Sequence, residues 1–243
     1  MDNPSNMRNS LLATALSAII IAVLAFMLYI SFEVYAYSKV MSEAITMAES
    51  LAIIVVGLVL INKNLKEVVR PKNLALSITF GILLYAAQFA IAYIPSFVWY
   101  TPPLNYFATA LFVYLPQGLI VSVLLLLTDN AYGSIFMMII PFYIISMIAF
   151  FNPIWTPFYF SMAALAELII LAGKKEYITS ALGSIMFSAA DAFLASQFML
   201  FNFGVYQPPL IQLSSALIDI VFAVLGAFIG LAVGKKAKTA WRP

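Results

Sequence analysis

The sequence predicts an all-α integral membrane protein, a polytopic bundle of about eight transmembrane helices that forms one domain over residues 1–243 with both termini cytoplasmic. Three observations predict it. Of 243 residues, 64% are apolar and 9% charged, against roughly 45–50% and about 25% in a soluble domain, so the outer surface must face hydrocarbon. Apolar stretches that can cross a ~30 Å bilayer, about 20 helical residues each, recur between interruptions of charge, proline and asparagine. Basic residues gather in alternate connections, as they do on the cytoplasmic side of membrane proteins.

Taken in order, the first span runs from Leu11 to Ser38; it is too long, and too poorly followed by a small-residue cleavage site, to read as a signal peptide. The second, Ala44 to Ile61, lies between Lys39-containing and Lys63-containing connections, and the third, Leu74 to Pro95, opens behind Arg70-Pro71-Lys72-Asn73. Tyr106 to Thr128 is the fourth span. Ser134 to Phe151 and Trp155 to Ala172 are the fifth and sixth, separated by Asn152-Pro153 alone. Thr179 to Asn202 and Leu210 to Gly234 complete the set. Pro116-Gln117-Gly118 in the fourth span and Pro141 in the fifth predict kinks whose freed carbonyls need neighbours.

Arg8, Lys63, Lys66, Arg70, Lys72, Lys174, Lys175, Lys235, Lys236, Lys238 and Arg242 all fall on one side of an eight-span topology, and of the twelve bases only Lys39 falls on the other. That asymmetry predicts a multi-pass plasma-membrane protein with cytoplasmic ends. The opposite connections, 96–103, 152–159 and 201–209, carry no charge but are rich in rings and proline. Trp and Tyr commonly form an interfacial belt, but a belt should mark both faces. The basic side offers only Tyr132, Tyr177 and Trp241. The expectation is an outward vestibule lined by Trp99, Tyr100, Trp155, Tyr159 and Tyr206, able to stack on a flat or cationic solute.

Cysteine and histidine are both absent, which removes disulfides, the usual zinc, copper and haem ligation and every Ser-His or Cys-His mechanism. No metal site, cofactor or enzymatic activity is expected. Chemistry is left to acids, amides, hydroxyls and rings. Five acids lie within the spans, Glu33, Glu49, Glu167, Asp191 and Asp219, with no base among them; ionisable groups at that depth are costly and usually functional or neutralised. Glu33 and Glu49 are expected near the outer ends of their helices. Tyr29, Glu33 and Tyr37, at four-residue spacing, are expected to share one helix face. Asp191 and Asp219 are expected deep, on antiparallel neighbours, and Glu167 in the inner half of the sixth span; hydrogen bonds to Ser188, Ser215 or a carbonyl would be the structural account of these three. An intramembrane aspartyl protease is disfavoured, because such enzymes carry Gly-x-Gly-Asp and the contexts here are Ala189-Ala190-Asp191 and Leu217-Ile218-Asp219. Small-residue stripes recur at Gly226, Gly230 and Gly234, at Thr14, Ala18 and Ala22, and at Ser184, Ser188, Ala192 and Ser196; helix packing is their ordinary role.

Three stretches resemble the substrate-binding S components of energy-coupling-factor vitamin transporters, most nearly the thiamine/hydroxymethylpyrimidine group: Ala18-Ile-Ile-Ile-Ala22, Val69-Arg70-Pro71-Lys72-Asn73-Leu74-Ala75, and the long run from Ala164 to Lys238. The resemblance implies a six-helix core with an added hairpin over about Ser96 to Pro153. It also implies docking of a transmembrane coupling protein on Ala18 and Ala22, and capture of a thiamine-like vitamin or precursor for uptake driven by separate ATPase subunits. Thr79 and Gln88 stand where that group carries a third-helix acid, and the chain has no phosphate-binding Gly-rich loop of its own. The expected partners are the lipid bilayer, a small solute and these subunits, with no nucleic acid. Two other readings follow from the residues: a proton- or cation-coupled secondary transporter using Glu167, Asp191 and Asp219, and a non-catalytic subunit of a larger membrane complex.

Overall fold

The protein is described here by a computed structural model covering residues 4–62, 70–89, 98, 103–150, 155–174, 177–204 and 206–240. Among these residues the chain forms eight helices and no strand: α1 (Pro4–Tyr35), α2 (Lys39–Asn62), α3 (Pro71–Phe89), α4 (Leu104–Leu127), α5 (Ser134–Phe150), α6 (Thr156–Gly173), α7 (Tyr177–Phe203) and α8 (Pro209–Ala240). Six of them, α1, α2, α4, α6, α7 and α8, are long and apolar enough to cross a membrane. The other two fall short on those terms: α3, though 19 residues long, opens with the polar Pro71-Lys72-Asn73, and α5 has only 17 residues, with Pro141 inside it. The expected continuation of the third span to Pro95 lies outside the described residues.

Several boundaries differ from the sequence reading: α1 begins at Pro4 and not Leu11, and α8 runs to Ala240 and not Gly234. The first helix stops at Tyr35, and α2 begins at Lys39 instead of Ala44. Ser38 explains the shift, since its hydroxyl accepts the Met41 N–H at 3.3 Å, the geometry of an N-cap three residues before its partner. Lys39 and Glu43, one turn apart at 3.6 Å, then stabilise the exposed opening turn instead of ending the helix.

Helix α7 is the hub of the bundle, packing on α1, α2, α4, α6 and α8. The tightest pair is α4 against α8. A methyl group on Gly118 would run into the backbone carbonyl of Ala223, one on Gly226 into that of Leu115, and one on Gly230 into that of Leu119. The stripe at 226, 230 and 234 is therefore an internal seam that lets two backbones touch, as small residues do where lipid supplies no hydrophobic drive. Ser184 on α7 ties the third helix in, donating its hydroxyl to the Gly118 carbonyl at 2.6 Å. A second close approach, Gly81 of α3 against Met138 and Pro141 of α5, falls at the proline inside α5.

The kink expected at Pro116 takes a specific form. Residues Ala110–Tyr114 make one π turn, in which the Leu115 N–H reaches back to the Ala110 carbonyl. Proline cannot donate, and its ring clashes with the carbonyl one turn below; widening the preceding turn accommodates both.

The helices run up and down between two ends. At the basic end, Lys238 of α8 pairs with Asp129 of the α4–α5 turn, and Tyr177 donates to the Leu231 carbonyl at 3.0 Å. At the other end, Tyr206 of the α7–α8 turn stacks on Tyr35 and Phe32 of α1, and Tyr106 donates to Gln207 at 3.0 Å. Gly118→Ala and Gly226→Ala should each destabilise the protein by about 3 kcal/mol, the upper range for overpacking, because the obstructing atom is backbone and cannot rotate away. Ala18→Leu, on the exposed side of α1, should change stability by no more than about 0.5 kcal/mol. Thermal unfolding in detergent checks all three.

Candidate functional site

Buried polar groups need partners in hydrocarbon, because no water is at hand to supply them. Most here have one. Ser42 donates to the Ser31 carbonyl at 2.8 Å, Ser161 to the Ser50 carbonyl at 3.0 Å and Ser180 to Asn130 at 2.7 Å. Ser77, Ser122, Tyr132 and Ser134 are among the exceptions, and two further groups of them lie along α7.

The deeper place lies between α4, α7 and α8. Gln117 donates its side-chain N–H to Asp191 Oδ2 at 2.8 Å. Asp219 feels the charge of Asp191, and the buried Tyr114 phenol feels both. The two aspartates are thus brought together on antiparallel neighbours, as expected. Ser188, considered as a hydrogen-bond partner for them, leaves its own hydroxyl unpartnered, as do Gln117 Oε1 and Asp219 Oδ1.

The outer place lies between α1, α2 and α7. Glu49 sits beside Gln197, but both carboxylate oxygens are shielded and neither closes a hydrogen bond; the Gln197 amide N–H turns instead to Ser31 Oγ at 3.3 Å, leaving Gln197 Oε1 unpartnered. Helix α6, which packs on α2, carries a continuous set of rings. Phe158 and Phe198 lie 5.8 Å apart, Trp155 packs edge-on to Phe158 at 5.1 Å, and Tyr159 contacts Phe158 at 4.9 Å and Phe142 at 5.4 Å. The Ser161–Ser50 hydrogen bond holds the α6 turn that carries Phe158 against the α2 turn that carries Glu49, and Phe198 follows Gln197 directly. Tyr159 also lies within electrostatic reach of Asp191, so the rings join the outer place to the deeper one.

Several expected site residues stand elsewhere. Glu167, fully buried on α6, accepts the Gly133 N–H at 2.8 Å and the Ile135 N–H at 2.7 Å. Its carboxylate closes the start of α5 at the basic end, where unpaired N–H groups and the helix dipole favour a negative group. It therefore lies apart from Asp191 and Asp219. The turn it supports has Asp129 and Asn130 in the left-handed region, at φ 56° and 53°, and ends α4 with paired bonds from Asn130 to Leu125 and from Asp129 to Leu126, a Schellman closure. Burial, and then the Glu167 charge, push the Tyr132 phenol in that turn above its usual range.

Tyr29 lies beside Glu33 on the outer side of α1, but Tyr37 does not flank them: α1 has already ended, and Tyr37 is 89% exposed in the following turn. The single face expected for Tyr29, Glu33 and Tyr37 is corrected by that early helix end. Tyr206 joins Phe32 and Tyr35, apart from the Trp155 rings, and remains 46% exposed. Trp99 and Tyr100 lie outside the described residues. Ala18 and Ala22 face outward from the bundle while Ala13, Ser17 and Leu24 face in, so that stripe has no internal packing role among the described residues. Sequence reasoning missed Gln117 and Gln197, although an amide in an apolar span carries the same cost signal as an acid. No group of three or more acids able to hold a metal ion occurs among the described residues.

Comparison with protein-family models, with curated proteins and with solved structures returns no match for this chain. Its site is therefore read from its own residues.

Removing the Glu167 carboxylate tests the structural role assigned to it. Glu167→Ala leaves two buried N–H groups without acceptors, at ~1–3 kcal/mol each, so a loss of about 3 kcal/mol or more is expected in thermal unfolding. Glu167→Gln keeps one acceptor oxygen and should lose roughly half as much.

Proposed function

We propose that this chain is a plasma-membrane protein of eight spans with both termini cytoplasmic. In this reading it captures a small cationic ring compound, thiamine or a related precursor, from outside as the substrate-binding component of an energy-coupling-factor-type transporter. The observation that carries the reading is Glu49: a carboxylate with both oxygens shielded and neither closing a hydrogen bond, on the α2 turn that the Ser161–Ser50 hydrogen bond ties to the ring-bearing helix α6. A desolvated anion on a helix packed against an aromatic one suits an organic cation, which can gain charge pairing and cation–π contact together. Gln197 Oε1, buried and unpartnered, adds an acceptor for a ring amine.

The second support is the outward-facing pair Ala18 and Ala22, a small-residue stripe placed where another transmembrane protein can approach closely. Energy for uptake would come from ATPase subunits joined through that partner.

Thiamine added at micromolar levels to the purified protein should quench tryptophan emission, with Trp155 as the responsive ring. Glu49→Gln should weaken that response at least about tenfold, the loss of one desolvated charge contact. No quenching and no thermal shift with thiamine, its pyrimidine precursor or other ring-bearing vitamins would sink the reading. Ala18→Leu combined with Ala22→Leu should abolish co-purification with a coupling protein while thiamine quenching stays intact; a double variant that loses quenching as well would argue against a docking role.

A further inference from the structure

The deeper cluster differs in kind from the ring-lined place above it. Two carboxylates from the packed helices α7 and α8 lie within electrostatic reach of one another beside α4, Asp219 is only 6% exposed, and Gln117 and Ser188 are fully buried. Around them the unpartnered atoms are all oxygens: Asp219 Oδ1, Gln117 Oε1 and Ser188 Oγ. Gln117 is oriented by its bond to Asp191 Oδ2 at 2.8 Å, so its free carbonyl oxygen belongs to the same cluster. Ser188 lies one turn from Asp191 on α7. The α4 backbone is irregular just there, with the π turn Ala110–Tyr114 and Pro116 immediately before Gln117. Interrupted helices at membrane depth are where coupling ions are commonly bound.

Charge balance demands a positive species. Two carboxylates at this depth, with no base in the cluster, are neutralised by one monovalent cation together with one proton held by the pair. The donors are hard oxygens with no nitrogen lone pair or sulfur, which excludes the softer transition metals by chemistry. Calcium takes about 6–8 oxygen ligands and magnesium keeps several waters in an octahedral shell; with Asp191 Oδ2 already held by the Gln117 N–H, the four side chains offer fewer oxygens than calcium takes.

We propose that Asp191, Asp219, Gln117 and Ser188 form a binding site for a dehydrated monovalent cation, sodium, at the junction of α4, α7 and α8. The site stands on its own residues and does not depend on the solute reading, whose test uses Glu49 and Trp155.

Thermal unfolding of the purified protein, without organic solute, in sodium, lithium, potassium, calcium, magnesium or choline chloride at matched ionic strength tests it. Sodium should raise Tm saturably over choline, by roughly 3–6 °C at ten times its dissociation constant. Asp219→Asn, which keeps shape but removes the charge, should abolish the sodium increment. Should that variant fail to fold, Ser188→Ala, which removes one neutral ligand, should raise the sodium midpoint about tenfold, and the titration of the unaltered protein stands by itself. Equal Tm in sodium and choline, a response to calcium or magnesium but not sodium, a response to pH alone, or an undiminished sodium increment in Asp219→Asn would each overturn the site.

Discussion

Where α8 crosses α4, Gly118, Gly226 and Gly230 let the two backbones meet, each standing where a methyl group would strike the opposing helix. In a bilayer, lipid tails are as apolar as any side chain, so helices hold together by close van der Waals contact and interhelical hydrogen bonds. That crossing has both, because Ser184 of α7 bonds to the carbonyl of Gly118 itself. The neighbouring positions then follow. Gln117, beside Gly118 on α4, is brought to Asp191, two turns beyond Ser184 on α7, and Asp219, two turns before Gly226 on α8, is brought to both. A glycine seam and a polar cluster are thus one piece of geometry.

The polar groups divide sharply. Ser42, Ser161 and Ser184 are satisfied by carbonyls of neighbouring helices, and Glu167 is satisfied by two backbone N–H groups at the start of α5. These act as fasteners. By contrast, the side-chain oxygens of Glu49, Gln117, Ser188, Gln197 and Asp219 that lack partners fall on α7 or directly against it. An unmet buried acceptor costs ~1–3 kcal/mol, and several on one axis of a bundle that satisfies its other acids point to a task beyond folding. The rings bridge the two groups, through Phe198 beside Gln197 and through Tyr159 near Asp191. An organic cation held at the outer place would sit within the field of the deeper acids, so occupancy of one place should affect the other by charge alone.

How much of this was legible beforehand depended on the range of the interaction. Local signals read well. Length and hydropathy gave the order and approximate limits of the helices; Pro116 marked the irregular turn of α4; Asp191 and Asp219, midway along their apolar runs, are buried in the bundle. Errors arose where a short-range partner was overlooked. Ser38 caps α2 and so ends α1 early, which removes Tyr37 from the face of Tyr29 and Glu33. Gln117 and Gln197 carry no charge and so leave no mark in the charge pattern, although a buried amide must also be matched.

By itself the sequence determined the class: 64% apolar composition with 9% charge leaves no stable option but helices in lipid, and the absence of histidine and cysteine confines its chemistry to oxygen donors and rings. Only the tertiary structure decided which acids are partnered. Glu167, Asp191 and Asp219 look alike in a hydropathy profile, each a carboxylate in an apolar run. Their difference arises from residues 32 to 74 positions away in the chain, Gly133 and Ile135 for Glu167 and Gln117 for Asp191. Such pairings are set by which helix faces meet. That is a property of packing, and it separates a carboxylate that closes a helix end from two that are left to receive a cation.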